Sequence, residues 1–440
     1  MTIRTHNCSE LREEHIGQTV ALAGWVNAYR GHGSALIFVD LRDRYGVTQA
    51  VFESESAPEQ LVEAGGRLRN EDCVRVVGTV RKRASVNDRI PTGQIEVVVS
   101  ELEVLSKTAR LPFVPSTEQD LPNEEVRLRH RYIDLRRPRM QEILRTRHRV
   151  AKLTRDYFDA HGFLEVETPV LCRSTPEGAR DFLVPSRNQE GMWYALPQSP
   201  QLFKQILMVG GCDRYLQIVK CFRDEDPRAD RQAEFTQIDL EMSFVDRDEV
   251  LEIMEGFAKT IWKQVLGVEL PEFPRMTYQE AMDRYGIDRP DTRFALELVD
   301  ISDLAPKTGF GVFTDALAKR RGVVKAIRVP GGAAMFTRKV SDAFTPFVQQ
   351  FGAGGAPVTK FANGGFEGGI AKFLGEIQGE LVQRLGLEDG DAVVFGADTY
   401  SICTKALGEL RLKIAREHGF IPEGKWNFLW VYDFPMFEHD

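Results

Sequence analysis

The segment from Arg214 to Phe244 constrains the fold of this chain more than any other part of its sequence. Two runs of alternating side chains flank a short polar stretch at residues 227–232, and this arrangement predicts an antiparallel β-hairpin. Arg223 and Glu225 are predicted to share one face of the first strand. On the second strand we predict a polar face with Phe235, Gln237, Asp239 and Glu241, and an apolar face with Ile238, Leu240 and Met242.

The polar face of this hairpin combines an arginine, several carboxylates, an amide and an aromatic ring. Such polar groups cost about 1–3 kcal/mol each when they are buried without partners. The residues alone leave two explanations open, a solvated sheet face with cross-strand ion pairs and a binding site for a polar ligand. The pattern F-R-x-E, a variable loop and then R-x-x-x-F favours the binding site.

This pattern resembles motif 2 of the class II aminoacyl-tRNA synthetases, and FRDEDPRADRQAEFTQID is similar to the form found in bacterial aspartyl-tRNA synthetases. Three further segments agree. Residues 162–171, GFLEVETPVL, resemble motif 1 with its Pro169. The segments STPEGARDFLVPS (174–186) and ALPQSPQLFKQ (195–205) resemble the aspartate-recognition segments of the same family. The resemblance extends over the whole chain.

The resemblance implies an α+β fold with three parts. These are an N-terminal five-stranded OB-type β-barrel, a class II antiparallel sheet flanked by helices, and an inserted α+β domain. The expected boundaries are 1–106 for the anticodon-binding barrel, 107–138 for a hinge, 139–294 for the catalytic domain, 295–397 for the insertion and 398–440 for the continued catalytic domain.

Five alternating runs between residues 18 and 105, separated by turn residues, predict the barrel from the residues themselves. Phe38 is predicted to point outward beside Arg30 and Gln49, as in barrels that stack on and read a base. However, residues 1–106 hold 12 Lys and Arg against 15 Asp and Glu, which favours an ordinary surface. The resemblance implies that Phe38, Gln49 and Arg30 bind the tRNA anticodon.

His32 lies in the barrel loop RGHGSA, where members of the family carry either leucine or histidine. Histidine resembles the members that charge tRNA(Asn) as well as tRNA(Asp). A solvated loop histidine without this role is the alternative, and both stay open.

The net charge of −8 argues against a generally basic nucleic-acid binder, but RNA binding needs only a local patch. Residues 127–149 hold nine arginines and two carboxylates, an excess of seven positive charges. Phosphate contact and a solvated helix face are both open for this segment. The helix predicted from Met140 to His161 has an apolar face that indicates burial, formed by Ile143, Leu144, Val150, Leu153, Tyr157 and Phe158. The resemblance implies that this helix and motif 1 form a homodimer interface.

The resemblance further implies an aspartate–tRNA ligase, which joins L-aspartate to the α-phosphorus of ATP and then to the 3′ end of tRNA(Asp). The attacking carboxylate is already a nucleophile, so the reaction needs alignment and charge stabilisation rather than a general base. Arg223 is the expected catalytic residue, in contact with the α-phosphate and the aspartate carboxylate. Phe235 is expected to stack on adenine, and Asp224, Glu225 and Gln232 complete the expected ATP-binding set.

Aspartate recognition is expected at a short helix in which Ser199 is the predicted N-cap and Pro200 the first residue. Gln201, Lys204 and Gln205 are predicted on one face, and Leu202, Ile206 and Val209 on another. Lys204 is expected to bind the substrate side-chain carboxylate, a contact that asparagine does not offer. The resemblance implies that Gln201 also contacts aspartate and that Asp239 and Glu177 receive its α-ammonium.

Several other function classes are disfavoured by the sequence. Six scattered cysteines without paired spacing indicate reduced thiols rather than disulfides or zinc. The glycine-rich loops in residues 295–397 lack the phosphate-loop patterns and are predicted to be turns. The polar N-terminus and the absence of a long apolar run predict a cytoplasmic protein with no membrane segment.

Family members continue beyond FLWVYDFPMFEHD into acidic residues for Mg²⁺ and into motif 3, so the metal ligands are expected past residue 440. ATP with Mg²⁺ is nevertheless the expected cofactor set. Two explanations are open, an incomplete portion of a full enzyme and a truncated, non-catalytic tRNA-binding module. The presence of Arg223 and Lys204 favours the enzyme.

Overall fold

The computed structural model describes residues 3–32, 35–228 and 230–437. These residues form two compact units, Met1–Arg155 and Asp156–Asp440. Each helix in the described part of the chain is too short or too polar to cross a lipid bilayer. The predicted domain boundaries stay a prediction.

The first unit contains a closed barrel of five strands. The strands are β1 (Thr19–His32), β2 (Leu36–Arg42), β3 (Val47–Glu53), β4 (Cys73–Lys82) and β5 (Ile95–Ser106). Their order around the barrel is β1-β2-β3-β5-β4, which confirms the predicted five-stranded barrel. On β2, Ile37, Val39 and Leu41 are buried whereas Phe38 and Asp40 are half-buried, as the alternation of side chains requires.

Close packing of β4 against β5 depends on Gly78. A Cβ at this position would lie 2.1 Å from the carbonyl oxygen of Val98, at an irregularity in the pairing of the two strands. Only glycine allows this approach without a shift of the backbone.

The first unit also contains the helices α1 (Glu59–Gly66), α2 (Glu124–Arg129) and α3 (Arg131–Asp134) and most of α4 (Pro138–Ala160), whose last residues belong to the second unit.

The arginine-rich segment makes many ion pairs within the first unit. Asp134 is fully buried between Arg131 (2.5 Å) and Arg137 (2.8 Å). Arg136 lies 2.9 Å from Glu71 and stacks on Trp25. These arginines therefore support the fold of the first unit.

The apolar face predicted for α4 is only partly buried. Phe158 is fully buried, but Ile143 and Leu144 are 45% and 47% exposed. The prediction of burial along the whole helix is therefore wrong for its first half. Only the last turns of α4 pack against other apolar residues, in a cluster with Phe163 and Phe257.

The second unit contains the predicted hairpin, formed by β9 (Arg214–Phe222) and β10 (Glu234–Met242). A short strand, β6 (Leu164–Glu165), pairs with β9 in parallel and makes the order β10-β9-β6. Around this sheet lie β7 (Leu183–Pro185), β8 (Trp193–Ala195), α5 (Gln201–Val209) and α6 (Arg247–Ile261).

One face of the hairpin packs on the cluster that contains Phe158, Leu216 and Ile253. Leu240 and Met242 belong to this cluster, as predicted. Ile238 was predicted to do the same, but it is 38% exposed because the cluster covers only the far end of β10. That prediction is wrong for Ile238.

A third part of the second unit is a five-stranded sheet, β12-β13-β16-β14-β15, in which every neighbouring pair is antiparallel. Its strands are β12 (Leu298–Asp300), β13 (Gly322–Val329), β14 (Val358–Ala362), β15 (Gly365–Glu367) and β16 (Ala392–Thr399). The helices near it are α8 (Gly311–Ala318), α9 (Gly332–Met335), α10 (Arg338–Gln349), α11 (Gln378–Leu385) and α12 (Tyr400–Glu417). Two apolar clusters pack on it.

Between the hairpin and this sheet, β11 (Arg275–Thr277) leads into α7 (Tyr278–Tyr285), and β11 pairs in parallel with β17 (Trp430–Tyr432). Arg411 of α12 is fully buried and donates to the carbonyl oxygens of Asp291, Phe294, Ala295 and Leu296. This guanidinium satisfies backbone acceptors that would otherwise be buried without donors. It thereby fixes the chain segment that enters the five-stranded sheet.

Candidate active site

The polar face of the hairpin is assembled by the register of its two strands. Asp239 lies opposite Gln217, Glu241 opposite Tyr215, and Phe235 opposite Cys221. Residues directly opposite each other in an antiparallel pair project from the same face of the sheet. The predicted polar residues of β10 therefore share one face with a second row of buried residues from β9, which the sequence analysis did not include.

Lys204 is the central cation of this face. It is 8% exposed, and its Nζ lies 2.9 Å from Asp239 Oδ1 and 3.2 Å from Glu241 Oε2. Burial lowers the pKa of Lys204, but the hydrogen bonds and charges of Asp239 and Glu241 outweigh this effect and leave its pKa above the ordinary value. The ammonium is therefore held charged inside the site.

Asp239 has one oxygen engaged and one available. Its Oδ1 accepts from Lys204, whereas Oδ2 is buried and has no hydrogen-bond partner among the described residues. A buried carboxylate oxygen without a donor is unfavourable unless a ligand supplies one. The geometry therefore suits a positively charged hydrogen-bond donor at Asp239.

Arg223 lies beside Phe235, with the guanidinium carbon 5.0 Å from the ring centroid. Burial and the charge of Asp239 raise the pKa of Cys221, which reaches about 11, while the charge of Arg223 acts in the opposite direction. Lys204 contacts Asp239 directly, and Ser199 links Glu177 to the start of α5, the helix that carries Lys204.

The prediction that Arg223 and Glu225 lie on the first strand is wrong. The strand β9 ends at Phe222, and the Arg223 amide makes a last bond to the Ala233 carbonyl. The Asp224 amide instead donates to the carbonyl oxygen of Arg180, at 3.0 Å. This bond directs the chain away from the hairpin and towards the 174–182 segment. Arg223 is therefore the residue at which the chain leaves β9.

Glu177 is held by two hydroxyl groups. Thr175 donates to Oε1 at 2.9 Å and Ser199 donates to Oε2 at 2.8 Å. Ser199 lies one residue before the N-cap of α5, which is Pro200, and Gln201 begins the helix half-buried. The N-cap predicted at Ser199 is therefore displaced by one residue. The Ser199 hydroxyl accepts from the Gln201 amide while it donates to Glu177.

The sequence analysis missed Gln198, which is 3% exposed. Its side-chain amide bonds to both backbone groups of Ala179 and to Asp181. It ties the segment that carries Glu177 to the start of α5. The only sequence signal was an amide between two prolines, which is too common to single out.

The remaining residues predicted to bind ATP lie in the loop after β9. Glu225 is 3.5 Å from Arg231, and Gln232 is exposed. Asp224 contributes its backbone to the bridge with Arg180. These side chains surround the entrance to the polar face rather than its buried part.

The outer side of α5 is apolar and exposed. Leu202, Ile206 and Val209 are 48%, 57% and 92% exposed, although sequence periodicity suggests that an apolar face is buried. The face of α5 that carries Lys204 lies against the hairpin instead, because Lys204 pairs with Asp239 and Glu241. Phe244 is 95% exposed at φ +58°, and the adjacent Ser243 hydroxyl contacts Met208 Sδ of α5 at 3.2 Å. A bulky side chain at this φ is strained.

The residues predicted to bind an anticodon line a cavity of about 310 Å³ on the barrel, with Glu53, Arg81 and Glu96. Arg30 donates to Asp40 and to Gln49 Oε1, and Gln49 Nε2 donates to Glu96. Gln49 is 3% exposed, so it forms the floor of this cavity below Phe38. The side chain of His32 lies outside the described residues.

No group of three or more His, Cys, Asp or Glu side chains placed to hold a metal ion occurs within residues 3–32, 35–228 and 230–437. The described part of the chain therefore offers no metal centre of its own at the hairpin.

Two protein families match the chain. The family described as tRNA synthetases class II (D, K and N) matches residues 123–440, and the OB-fold nucleic acid binding domain matches residues 20–105. An aspartate–tRNA ligase of Halalkalibacterium halodurans is 50% identical over 441 residues, which are 99% of this chain and 73% of that protein. An aspartate–tRNA(Asp/Asn) ligase of Bacillus subtilis is 48% identical, over 99% of this chain and 74% of that protein.

A solved structure shares the fold. The asparaginyl-tRNA synthetase from Pyrococcus horikoshii, complexed with asparaginyl-adenylate, aligns over 93% of this chain and 96% of its own, with a TM-score of 0.57 and 20% identity.

Replacing Lys204 by Met is expected to lower the free energy of unfolding by about 3–5 kcal/mol, because it leaves Asp239 buried without its cation. The matched control is Lys220→Met, which breaks an exposed pair with Glu234 on the same hairpin and should cost under about 1 kcal/mol. Urea unfolding measures both. The raised pKa of Lys204 means that its contribution is fully present below pH 10.5 and declines above it. Equal losses in the two variants would contradict a buried role for Lys204.

Proposed function

Because the chain belongs to the aspartate–tRNA ligases of the class II tRNA synthetases, we propose that the polar face of the β9–β10 hairpin activates L-aspartate with ATP. The aspartyl group then passes to the 3′ end of tRNA(Asp). The observation that carries this proposal is the buried ion pair of Lys204 with Asp239, whose second carboxylate oxygen is buried without a hydrogen-bond partner among the described residues. A buried ammonium beside a carboxylate with an available oxygen suits a substrate that has charges of both signs.

Lys204 and Asp239 divide the recognition of aspartate between them. The substrate side-chain carboxylate binds the Lys204 ammonium, which Asp239 and Glu241 keep charged. The substrate α-ammonium donates to the available Oδ2 of Asp239 and to Glu177. Asparagine offers no anion to Lys204 and so loses a charge-assisted bond, worth about 1.5–3 kcal/mol. Gln201, half-buried at the start of α5, completes the aspartate site.

Arg223 acts on the reacting groups. The α-carboxylate of aspartate attacks the α-phosphorus of ATP, a new P–O bond forms, and the bond to pyrophosphate breaks. A guanidinium binds one oxygen of each anion, aligns them and neutralises the charge that grows on the phosphate. The position of Arg223, half-buried where the chain leaves β9, places it beside the Phe235 ring on which adenine stacks. Asp224, Glu225 and Gln232 bound the nucleotide at the entrance.

Mg²⁺ enters this proposal as the partner of ATP. Class II synthetases use ATP as a substrate, and the triphosphate itself supplies oxygen ligands to Mg²⁺.

The barrel is proposed to bind the anticodon, with Phe38 as the stacking ring, Gln49 at the floor of the cavity and Arg30 in its lining. Its match to the OB-fold nucleic acid binding domain supports this role.

His32 and the 48% identity to an aspartate–tRNA(Asp/Asn) ligase support tRNA(Asn) as a second substrate. The domain boundaries given above and a cytoplasmic location belong to the same proposal.

A homodimer is proposed through α4 and the segment that resembles motif 1. Ile143 and Leu144 of α4 are 45% and 47% exposed, and Leu164, Val170 and Leu171 of that segment are 60%, 45% and 53% exposed. Exposed apolar side chains that lie together mark association surfaces, and a second copy of the chain covers them in the proposed dimer.

Aspartate-dependent exchange of pyrophosphate into ATP tests the activity. Wild type is expected to show exchange with L-aspartate and far less with L-asparagine. Arg223→Ala is expected to lower the exchange rate by about 10²–10³, because the growing phosphate charge loses its donor. Arg338→Ala is the control, since Arg338 is 95% exposed on α10, and it should leave the rate unchanged. Binding of tRNA(Asp) without any exchange would instead support the alternative, a non-catalytic tRNA-binding module.

Charging of tRNA(Asp) and tRNA(Asn) transcripts in parallel tests the tRNA range. Both are expected to accept aspartate, and His32→Leu is expected to reduce charging of tRNA(Asn) more than that of tRNA(Asp). Phe38→Ala should weaken both by removing a stacking contact of about 1–3 kcal/mol. Charging of tRNA(Asp) alone by the wild type would contradict the dual range and leave the activity itself intact.

Sedimentation velocity tests the dimer. The double change Ile143→Glu and Leu144→Glu is expected to weaken association at least about a hundredfold, because it replaces apolar contacts of the proposed interface with charges. Val312→Glu is the control, since Val312 is 51% exposed on α8. A monomeric wild type at micromolar concentration would show the proposal to be wrong.

A further inference from the structure

The loop between α1 and β4 carries two adjacent carboxylates that are both buried. Glu71 is 3% exposed and Asp72 is 2% exposed, although carboxylates are almost never fully buried unless they are paired. Glu71 also has φ +70°, in the left-handed region that residues other than glycine seldom adopt. Such a conformation persists only where the surrounding structure dictates it. The partners of these two side chains therefore explain the shape of the loop.

Glu71 joins the barrel to the residues that precede α4. Both of its carboxylate oxygens accept from Arg42 Nη2 of β2 at 2.8 Å, and Oε2 also accepts from Arg136 Nη1 at 2.9 Å. The Arg136 guanidinium stacks on Trp25 of β1, with its carbon 4.8 Å from the ring centroid. One carboxylate therefore connects an arginine of the barrel with an arginine two residues before Pro138, where α4 begins.

Asp72 holds the other end of the same segment. Its Oδ1 accepts from the Thr108 amide at 2.8 Å, and its Oδ2 accepts from the Arg69 amide at 2.9 Å. The last barrel strand ends at Ser106, so Thr108 lies at the start of the connection from the barrel to α4. Two neighbouring residues of one loop thus hold both ends of residues 107–137.

Buried ion pairs also close this segment on itself. Arg137 is 5% exposed and pairs with Glu118 and with the fully buried Asp134. Asp134 accepts from Arg131 as well. Such pairs are costly to break, because the remaining partner is left charged and buried. The segment therefore has fixed partners at its start, middle and end, unlike a flexible linker.

The stiffness of this segment matters for a ligand that binds at two places. In the proposed function, one tRNA contacts the barrel with its anticodon and the β9–β10 hairpin with its 3′ end. The second contact of such a ligand forms at an effective concentration that depends on the stiffness of the connection between the two sites. A loose connection populates many arrangements and lowers this concentration, whereas a stiff connection keeps it high.

We propose that Glu71 and Asp72 join residues 107–137 to the barrel as one rigid body, and that this rigidity strengthens the binding of tRNA. The effect on tRNA rests on the proposed function, whereas the rigid body itself does not. Glu71 and Asp72 are positioning residues, since they are buried and act through Arg136 and Thr108.

The variant Glu71→Gln tests the rigid body, because it keeps the shape of the side chain and removes its charge. Deuterium uptake by the amides of residues 107–137, that of Thr108 included, is expected to become at least about tenfold faster, while the barrel strands keep their protection. The matched control is Glu63→Gln, which breaks an exposed pair with Arg67 beside the same loop and should leave the uptake unchanged.

Charging of tRNA(Asp) tests the consequence. The KM for tRNA is expected to rise about tenfold in Glu71→Gln, because the effective concentration falls, while pyrophosphate exchange without tRNA stays within about twofold of the wild type. The direction of this effect is informative, since removal of a negative charge by itself favours binding to RNA phosphates. Arg136→Met is the second variant if Glu71→Gln fails to fold, because the Arg136 side chain is 30% exposed. It is expected to speed the same uptake.

Unchanged deuterium uptake across residues 107–137 would overturn the inference, and so would an equal loss of protection in the barrel strands. A loosened segment with an unchanged KM for tRNA would overturn it as well, since the rigidity would then have no effect on tRNA.

Deuterium uptake needs no substrate, so it separates this inference from the proposed function. A wild type that shows neither pyrophosphate exchange nor charging contradicts the proposed function, while faster uptake in Glu71→Gln still supports the rigid body. If the wild type charges tRNA(Asp) and the uptake of Glu71→Gln equals that of the wild type, only the role of Glu71 and Asp72 fails.

Discussion

The burial of one ammonium group between two carboxylates is the interaction on which the rest of the site depends. Lys204 lies within 3.2 Å of both Asp239 and Glu241, and these contacts dictate which side of α5 faces the hairpin. Hydrophobic periodicity alone would place Leu202, Ile206 and Val209 inward. Desolvating an ammonium costs several kcal/mol unless it is paired, so once Lys204 is inside, both carboxylates must stay with it. The orientation of α5 and the charge of the site therefore have the same cause, which is the burial of Lys204.

The same principle explains how much of the fold followed from the sequence. Alternation of side chains predicted the hairpin and the five barrel strands because period-2 patterning is local information. The end of β9 was not predictable, since it depends on a backbone bond from Asp224 to Arg180, far back in the chain. The burial of Gln49 likewise depends on Glu96, 47 residues away. Local patterns give the elements, and distant polar partners decide where they stop and which side faces inward.

The candidate site divides in a similar way. The chemically distinctive side chains, Arg223, Lys204 and Asp239, stood out because charged groups in strand and helix patterns are costly without a ligand. The residues that support them did not stand out. Gln198, Gln217 and Tyr215 are ordinary polar residues in sequence, and their importance comes from burial and from the hydrogen bonds that they make. Charged residues of a site are therefore easier to identify from a sequence than the buried polar residues that position them.

The two-sided character of α5 has a mechanical consequence. Its nine residues form one continuous helix. A displacement of Ile206 or Val209 on the exposed side therefore also displaces the ammonium of Lys204 on the buried side. A hydrogen bond of 2.9 Å weakens within a few tenths of an ångström of lengthening. A displacement of α5 from its exposed side would therefore weaken the contact that separates an acid from its amide, with no change to any residue that contacts the amino acid.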